Sequence, residues 1–151
     1  MIYHCIRFTL KPGVSEEEKA AGLAQMGEHI NAIPAIKARV VGPDFGGEFD
    51  YGAVTVLEDI EGYEQYMNHP AHLAMDRAGL PLIDRFVSYD VTDDPDPEIG
   101  AKIADVHRRR FRDVPDVAEL VARLGEYSGS AAPGRHGVDG SCVGSAEFRR
   151  G

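Results

Sequence analysis

Three observations place the chain in the α+β class. First, residues 2–10, 51–57 and 83–92 alternate apolar and polar side chains with the two-residue period of strands, and residues 36–42 read as a further strand closed by Gly42-Pro43. Second, the stretches after the first strand and after the third carry helix caps and helical apolar spacing. Third, composition changes near residue 95. Residues 1–94 hold 7 Lys and Arg against 16 Asp and Glu, whereas residues 95–151 hold 9 of each, as at a domain boundary. The predicted order over 1–94 is β-α-β-β-α-β, the ferredoxin-like split βαβ arrangement, with an antiparallel sheet and both helices on one face.

In the first strand Ile2, His4, Ile6, Phe8 and Leu10 share one face, and Tyr3, Cys5, Arg7 and Thr9 the other. Lys11-Pro12-Gly13 is a turn. Ser15 with Glu18 forms a capping box and opens a helix whose apolar side carries Leu23, Met26, Ile30 and Ile33, ending before Pro34. Residues 45–50 make a loop, and Asp59 caps the second helical stretch. Within it, Tyr66-Met67-Asn68-His69-Pro70-Ala71-His72 reads as a helix end, a break and a new start. Pro70 cannot continue a helix but suits the first position of the next, and it pushes His69 toward an extended backbone. His72, Met75 and Asp76 then fall on one face at i, i+3 and i+4. Gly79 and Pro81 end this helix. In the last strand Phe86, Ser88 and Asp90 oppose Val87, Tyr89 and Val91.

Two helices cover only one sheet face. Val54, Val56, Val87, Tyr89 and Val91 form an apolar set on the other, which predicts a partner. A second copy of the sheet, face to face, is the expected one.

The net charge of -9 excludes general nucleic-acid binding. No apolar run approaches the roughly 18 residues of a membrane span, and the N-terminus lacks the regions of a signal peptide. Two cysteines, Cys5 and Cys142, do not make a disulfide framework, so a cytoplasmic location is expected. There is no Gly-rich phosphate loop, nucleophile elbow or Walker motif, and no cofactor is expected.

The chemistry gathers at the helix break. His72 titrates near neutrality and suits proton abstraction from an acidic carbon, with Asp76 one turn on to hold its tautomer. Tyr66 can donate to a developing oxyanion; the plainer alternative is an aromatic packed on the sheet. His4 points to the same side as a core residue of the apolar face or as a cavity group, and His69 stabilises the kink. His4, His69 and His72 would suffice in number for zinc, but His-x-x-His is a weak signature and no metal site is expected.

These residues carry a family likeness. The opening strand with His4, the segment Ile33-Pro34-Ala35-Ile36-Lys37, the run from Tyr66 to His72 and the closing Tyr89-Asp90-Val91-Thr92 resemble the Dabb family, the stress-responsive dimeric α/β barrels. The resemblance implies a cytosolic homodimer closing a barrel from two sheets, with a cavity between each sheet and its helices. Within that family the chain is similar to polyketide cyclases of the olivetolic acid cyclase type, which close a linear poly-β-keto thioester by aldol condensation. That likeness implies His72 as general base and Tyr66 as hydrogen-bond donor, with Asp76 in support. It also implies a pocket for a small hydrophobic or polyketide-like ligand lined by His4, Ile6, Phe8, Met26, Thr55, His69, Met75, Phe86 and Ser88. Ala53 stands where those cyclases carry a histidine, Thr55 where they carry a valine and Ser88 where they carry an apolar residue. The alternative is a non-catalytic stress-response or ligand-binding barrel.

Residues 95–151 lie beyond the resemblance. Asp93-Asp94-Pro95-Asp96-Pro97 reads as a linker. Ile99, Ile103 and Val106 predict a short amphipathic helix running into His107-Arg108-Arg109-Arg110-Phe111-Arg112, read as a solvated helix end. Asp116 is the expected cap of another helix bearing Val117, Leu120, Val121 and Leu124. Residues 128–151, rich in Gly, Ser and Ala, are expected to be disordered.

Overall fold

The structure, a computed structural model, describes residues 1–130. Strand β1 (Ile2–Leu10) leads to helix α1 (Glu16–Asn31), then β2 (Ile36–Pro43), β3 (Tyr51–Leu57), α2 (Ile60–Asn68), α3 (Pro70–Gly79) and β4 (Ile83–Thr92). The chain continues into α4 (Ile99–Asp113), α5 (Pro115–Ala122) and a short β5 (Glu126–Gly129). The sheet order is β2-β3-β1-β4-β5, so the predicted βαββαβ topology is present with an added edge strand.

β1 is central and pairs antiparallel with both β3 and β4. The register aligns inner-face residues in rows across three strands: Tyr51-Phe8-Phe86, Ala53-Ile6-Ser88, Thr55-His4-Asp90 and Leu57-Ile2-Thr92. The outer two rows give Ile2, Phe8 and Leu57 to the core; the two between them carry His4, Thr55, Ser88 and Asp90, the polar groups of a site. Ile2, Leu57, Tyr63, Tyr66 and Met67 form one buried cluster under α2, and Phe8, Leu80 and Ile83 another under α3. Each fully buried side chain of this size contributes about 1.5–3 kcal/mol.

Local chemistry matches the elements. Ser15 and Glu18 form both arms of the capping box on α1. The Asp59 side chain accepts from the Gly62 N–H at 2.8 Å. His69 has an extended backbone (φ -63, ψ 135) between α2 and α3. Its Nδ1 accepts from the Ala71 N–H at 3.2 Å while Pro70 starts α3.

The extension corrects three expectations. The basic run is not a solvated helix end: His107 is 0% and Arg110 4% exposed, because they continue the stripe of Ile99, Ile103 and Val106 that α4 lays on α2. Arg108 and Arg112 do face solvent. Asp116 does not cap α5. Val114 holds that position with Pro115 after it, and Asp116 instead pairs with Arg77 of α3 at 2.6 Å. Residues 128 and 129 are not disordered; they belong to β5, which runs parallel to β4 and sets Tyr127 beside Phe86 and Gly129 beside Ser88. A glycine is required there, since its φ is +127° and a Cβ would collide with the Ser88 backbone. The expectation of disorder over 131–151 lies outside the described residues.

The sheet face away from the helices carries Tyr3, Val40, Tyr89 and Val91 as exposed large apolar side chains. The single chain leaves the sheet open.

Candidate functional site

The middle rows of the sheet, the α2–α3 break and α4 border a cavity of about 70 Å³. Of the side chains expected there, His4, Ile6, Phe8, Met26, Tyr66, His72, Met75, Asp76, Phe86 and Ser88 line it. Thr55 and His69 do not. Thr55 is buried on β3, where it acts to lower the pKa of the Tyr66 phenol. His69 is spent on the helix break, its Nδ1 holding the Ala71 N–H. The extension supplies His107, Arg110, Phe111, Val121, Leu124 and Tyr127 to the same walls.

His72 comes from the first turn of α3, and its ring meets that of Tyr66 edge-on at 4.4 Å between centroids. Burial, then the positive charge of Arg110 and the neighbouring His4 and His107, hold its pKa well below the ordinary value. The imidazole is therefore neutral at physiological pH, the form that accepts a proton. Its Nδ1 is buried without a hydrogen bond of acceptable geometry; the Tyr66 backbone favours the protonated ring but does not outweigh burial.

Asp76 does not hold the His72 tautomer as expected. It stands 3.6 Å from Nε2, beyond a hydrogen bond, because its other oxygen is engaged by Arg110 of α4. Arg110 is the main feature that sequence reading missed. Its guanidinium is buried, pairs with Asp76, and leaves Nε buried without a partner. Burial lowers its pKa, while Tyr66, Tyr127 and Tyr63 act in the opposite direction. Tyr66 in turn has its pKa raised by burial, with Thr55 and Arg110 opposing, so its hydroxyl keeps its proton and can donate it in a hydrogen bond.

A second polar group backs the cavity. His4 Nδ1–H donates to Asp90 Oδ1 at 2.8 Å across the β1–β4 pair. Tyr63 donates to Asp90 Oδ2 at 3.3 Å and shares a 2.8 Å hydrogen bond with His107 Nε2. Burial opposes the charged form of Asp90, but the hydrogen bond and charge of His4 prevail and hold its pKa below the usual value. Burial first, then Asp90, pushes the Tyr63 pKa well up. Burial likewise raises Tyr127, to about 12, and its hydroxyl meets Ser88 Oγ at 3.1 Å. The result is an aspartate-oriented histidine, His4, on one wall and an unoriented neutral histidine, His72, on another. Among the described residues no group of three or more His, Cys, Asp or Glu is placed to hold a metal ion.

Residues 2–93 match the family described as the stress responsive A/B barrel domain, Dabb. That is more than half of the chain. The chain belongs to the Dabb family. Among solved structures, it is 24% identical to a dimeric ferredoxin-like protein of unknown function from Thermobifida fusca, covering 60% of this chain and 89% of that one at a TM-score of 0.56. A Dabb family protein with a ferredoxin-like fold from Mesorhizobium loti is 23% identical over 60% of this chain and 94% of its own, also at 0.56. A hydroxynitrile lyase from Passiflora edulis is 16% identical, with 62% and 94% covered, again at 0.56. At these identities the likeness is one of fold. No curated protein matches the chain. The Dabb match ends before α4, so Arg110, His107 and Tyr127 are additions of this chain's extension to a Dabb cavity. No helix among the described residues is long and apolar enough to cross a membrane.

Proposed function

We propose that the cavity binds a compact carbonyl compound and that the protein is a cofactor-free enzyme of carbon-acid chemistry. His72 takes a proton from carbon, the electron pair moves onto the carbonyl oxygen, and the Tyr66 hydroxyl donates a hydrogen bond to the oxygen as charge develops. Aldol-type closure of the polyketide-cyclase kind begins with such a proton transfer. The observation that carries the reading is the pairing of a buried, neutral imidazole with a protonated phenol on the wall of one cavity. The size of that cavity, about 70 Å³, favours a single ring or short chain over an extended poly-β-keto thioester, since drug-sized ligands occupy about 300–1,000 Å³.

A second reading, a ligand-binding barrel without catalysis, is favoured by the commitment of Asp76 to Arg110, which leaves His72 without a carboxylate to orient it. The active assembly is a homodimer joined through the sheet faces, on the strength of the exposed Tyr3, Val40, Tyr89 and Val91 and of the dimeric Thermobifida fusca relative. A reducing cytoplasm suits the buried free thiol of Cys5.

The test is ligand-detected NMR with a panel of small phenols, ketones and β-dicarbonyls, on wild type and His72→Ala of equal foldedness. Turnover that requires His72 supports the enzyme. Binding that survives the substitution without any turnover supports the second reading.

A further inference from the structure

The extension brings into the cavity a charged group that the Dabb domain itself does not supply. Arg110 is 4% exposed and lies on the same cavity wall as Tyr66 and His72. Asp76 engages one terminal nitrogen, but Nε–H is buried with no acceptor. A guanidinium presents its donors as a planar fork that suits two oxygens at once, and here one edge of the fork is unmatched. A buried donor left unsatisfied carries the full loss of its hydration, so a fold that retains one beside a cavity is a fold that receives an acceptor there. An oxygen bearing negative charge is the strongest acceptor for a cationic donor, and Tyr66 lines the same cavity.

We propose that Arg110 is the oxyanion-recognising residue of this cavity, and that its ligand is a compact molecule bearing negative charge on oxygen as a phenolate, enolate or enolate-like group. The inference rests on the reading of the cavity as a ligand site, and not on His72 acting as a base. Asp76 shapes the selectivity. By sharing the guanidinium it tempers attraction for any anion, while the Nε–H stays without an acceptor from the protein. The other charged group on this side, Asp90, is held by His4 and Tyr63.

p-Nitrophenol tests this, because its phenol and phenolate forms differ in visible absorbance near neutral pH. Wild-type protein should bind the phenolate at least tenfold more tightly than the phenol, so the bound probe ionises at least one pH unit below the free probe. Arg110→Met should abolish that preference, Arg110→Lys should retain part of it, and Arg108→Met, at an exposed position of the same helix, should keep it. Equal binding of the two forms by wild type overturns the inference whatever the variants do, as does an undiminished preference in a folded Arg110→Met. In those two cases the cavity remains a ligand site and the proposed chemistry stands on His72 alone. No binding of either form also overturns the inference, and leaves the carbon-acid reading to the ketone and β-dicarbonyl panel.

Discussion

At the scale of the residue, His72 and the Arg110–Asp76 pair set the behaviour of the site. The folded-state pKa of His72 is depressed, so the unfolded chain binds a proton more readily than the folded one. Its contribution is fully present above the unfolded value of about 6.5 and is lost as pH falls from there through the folded value. One such group gives a slope of up to about 1.4 kcal/mol per pH unit within that window. Urea denaturation at a series of pH values should show stability falling below pH ~6.5, with a shallower fall in His72→Gln. In the Arg110–Asp76 pair the arginine is buried and the aspartate partly so, 14% exposed. Removing one partner leaves an uncompensated charge, so Asp76→Asn should destabilise by about 3–5 kcal/mol, measured in the same denaturation experiment. The loss of an exposed pair such as Arg123–Glu119 should go unnoticed.

At the scale of the element, the extension is part of the core. Ile103 and Val106 of α4 pack with Ile2, Leu57 and Tyr63, and Val117 and Val121 of α5 with Phe8 and Ile83. Ile103→Ala should therefore cost about 2–5 kcal/mol and shift one cooperative transition, read by circular dichroism. A separate early transition would mean that α4 folds apart from the sheet. Gly129→Ala should unseat β5, through its positive φ and the close Ser88 backbone, and expose Tyr127 to fluorescence quenchers. The sheet and its two helices were legible because alternation, the capping box and the Pro70 break each state a local rule. The extension was not, because Arg110 is a charged type at a buried position. Its spacing from Ile103 and Val106, seven and four residues on, was the available signal, and residue type masked it. The His4–Asp90 contact needed a strand pairing that spans 86 residues, although Asp90 already shared a predicted face with Ser88 and Phe86. Likewise Thr55 and His69 belong to the right segments, yet one is buried in the sheet away from the cavity lining and the other is consumed by its own helix cap.

At the scale of the whole molecule, the chain places a mostly apolar cavity with a few polar groups on one side of the sheet and an apolar face on the other. A face with Val40 63% and Val91 55% exposed is expected to be covered by a second copy. Sedimentation at micromolar concentration should give twice the chain mass, and Val91→Asp should shift the protein toward monomer. β5 covers the β4 edge over Arg85–Ser88, so in the proposed dimer the copies are expected to meet on the apolar face rather than on that edge. The central claim is that His72 acts as a base in the cavity. It is tested most directly by following deuterium exchange at the α-carbons of a panel of small ketones in D2O by NMR. Wild type should accelerate exchange of at least one member tenfold or more over a folded His72→Gln variant, with the rate falling as acid protonates the imidazole. Exchange that proceeds equally in both proteins, across the panel and at every pH, would contradict the account.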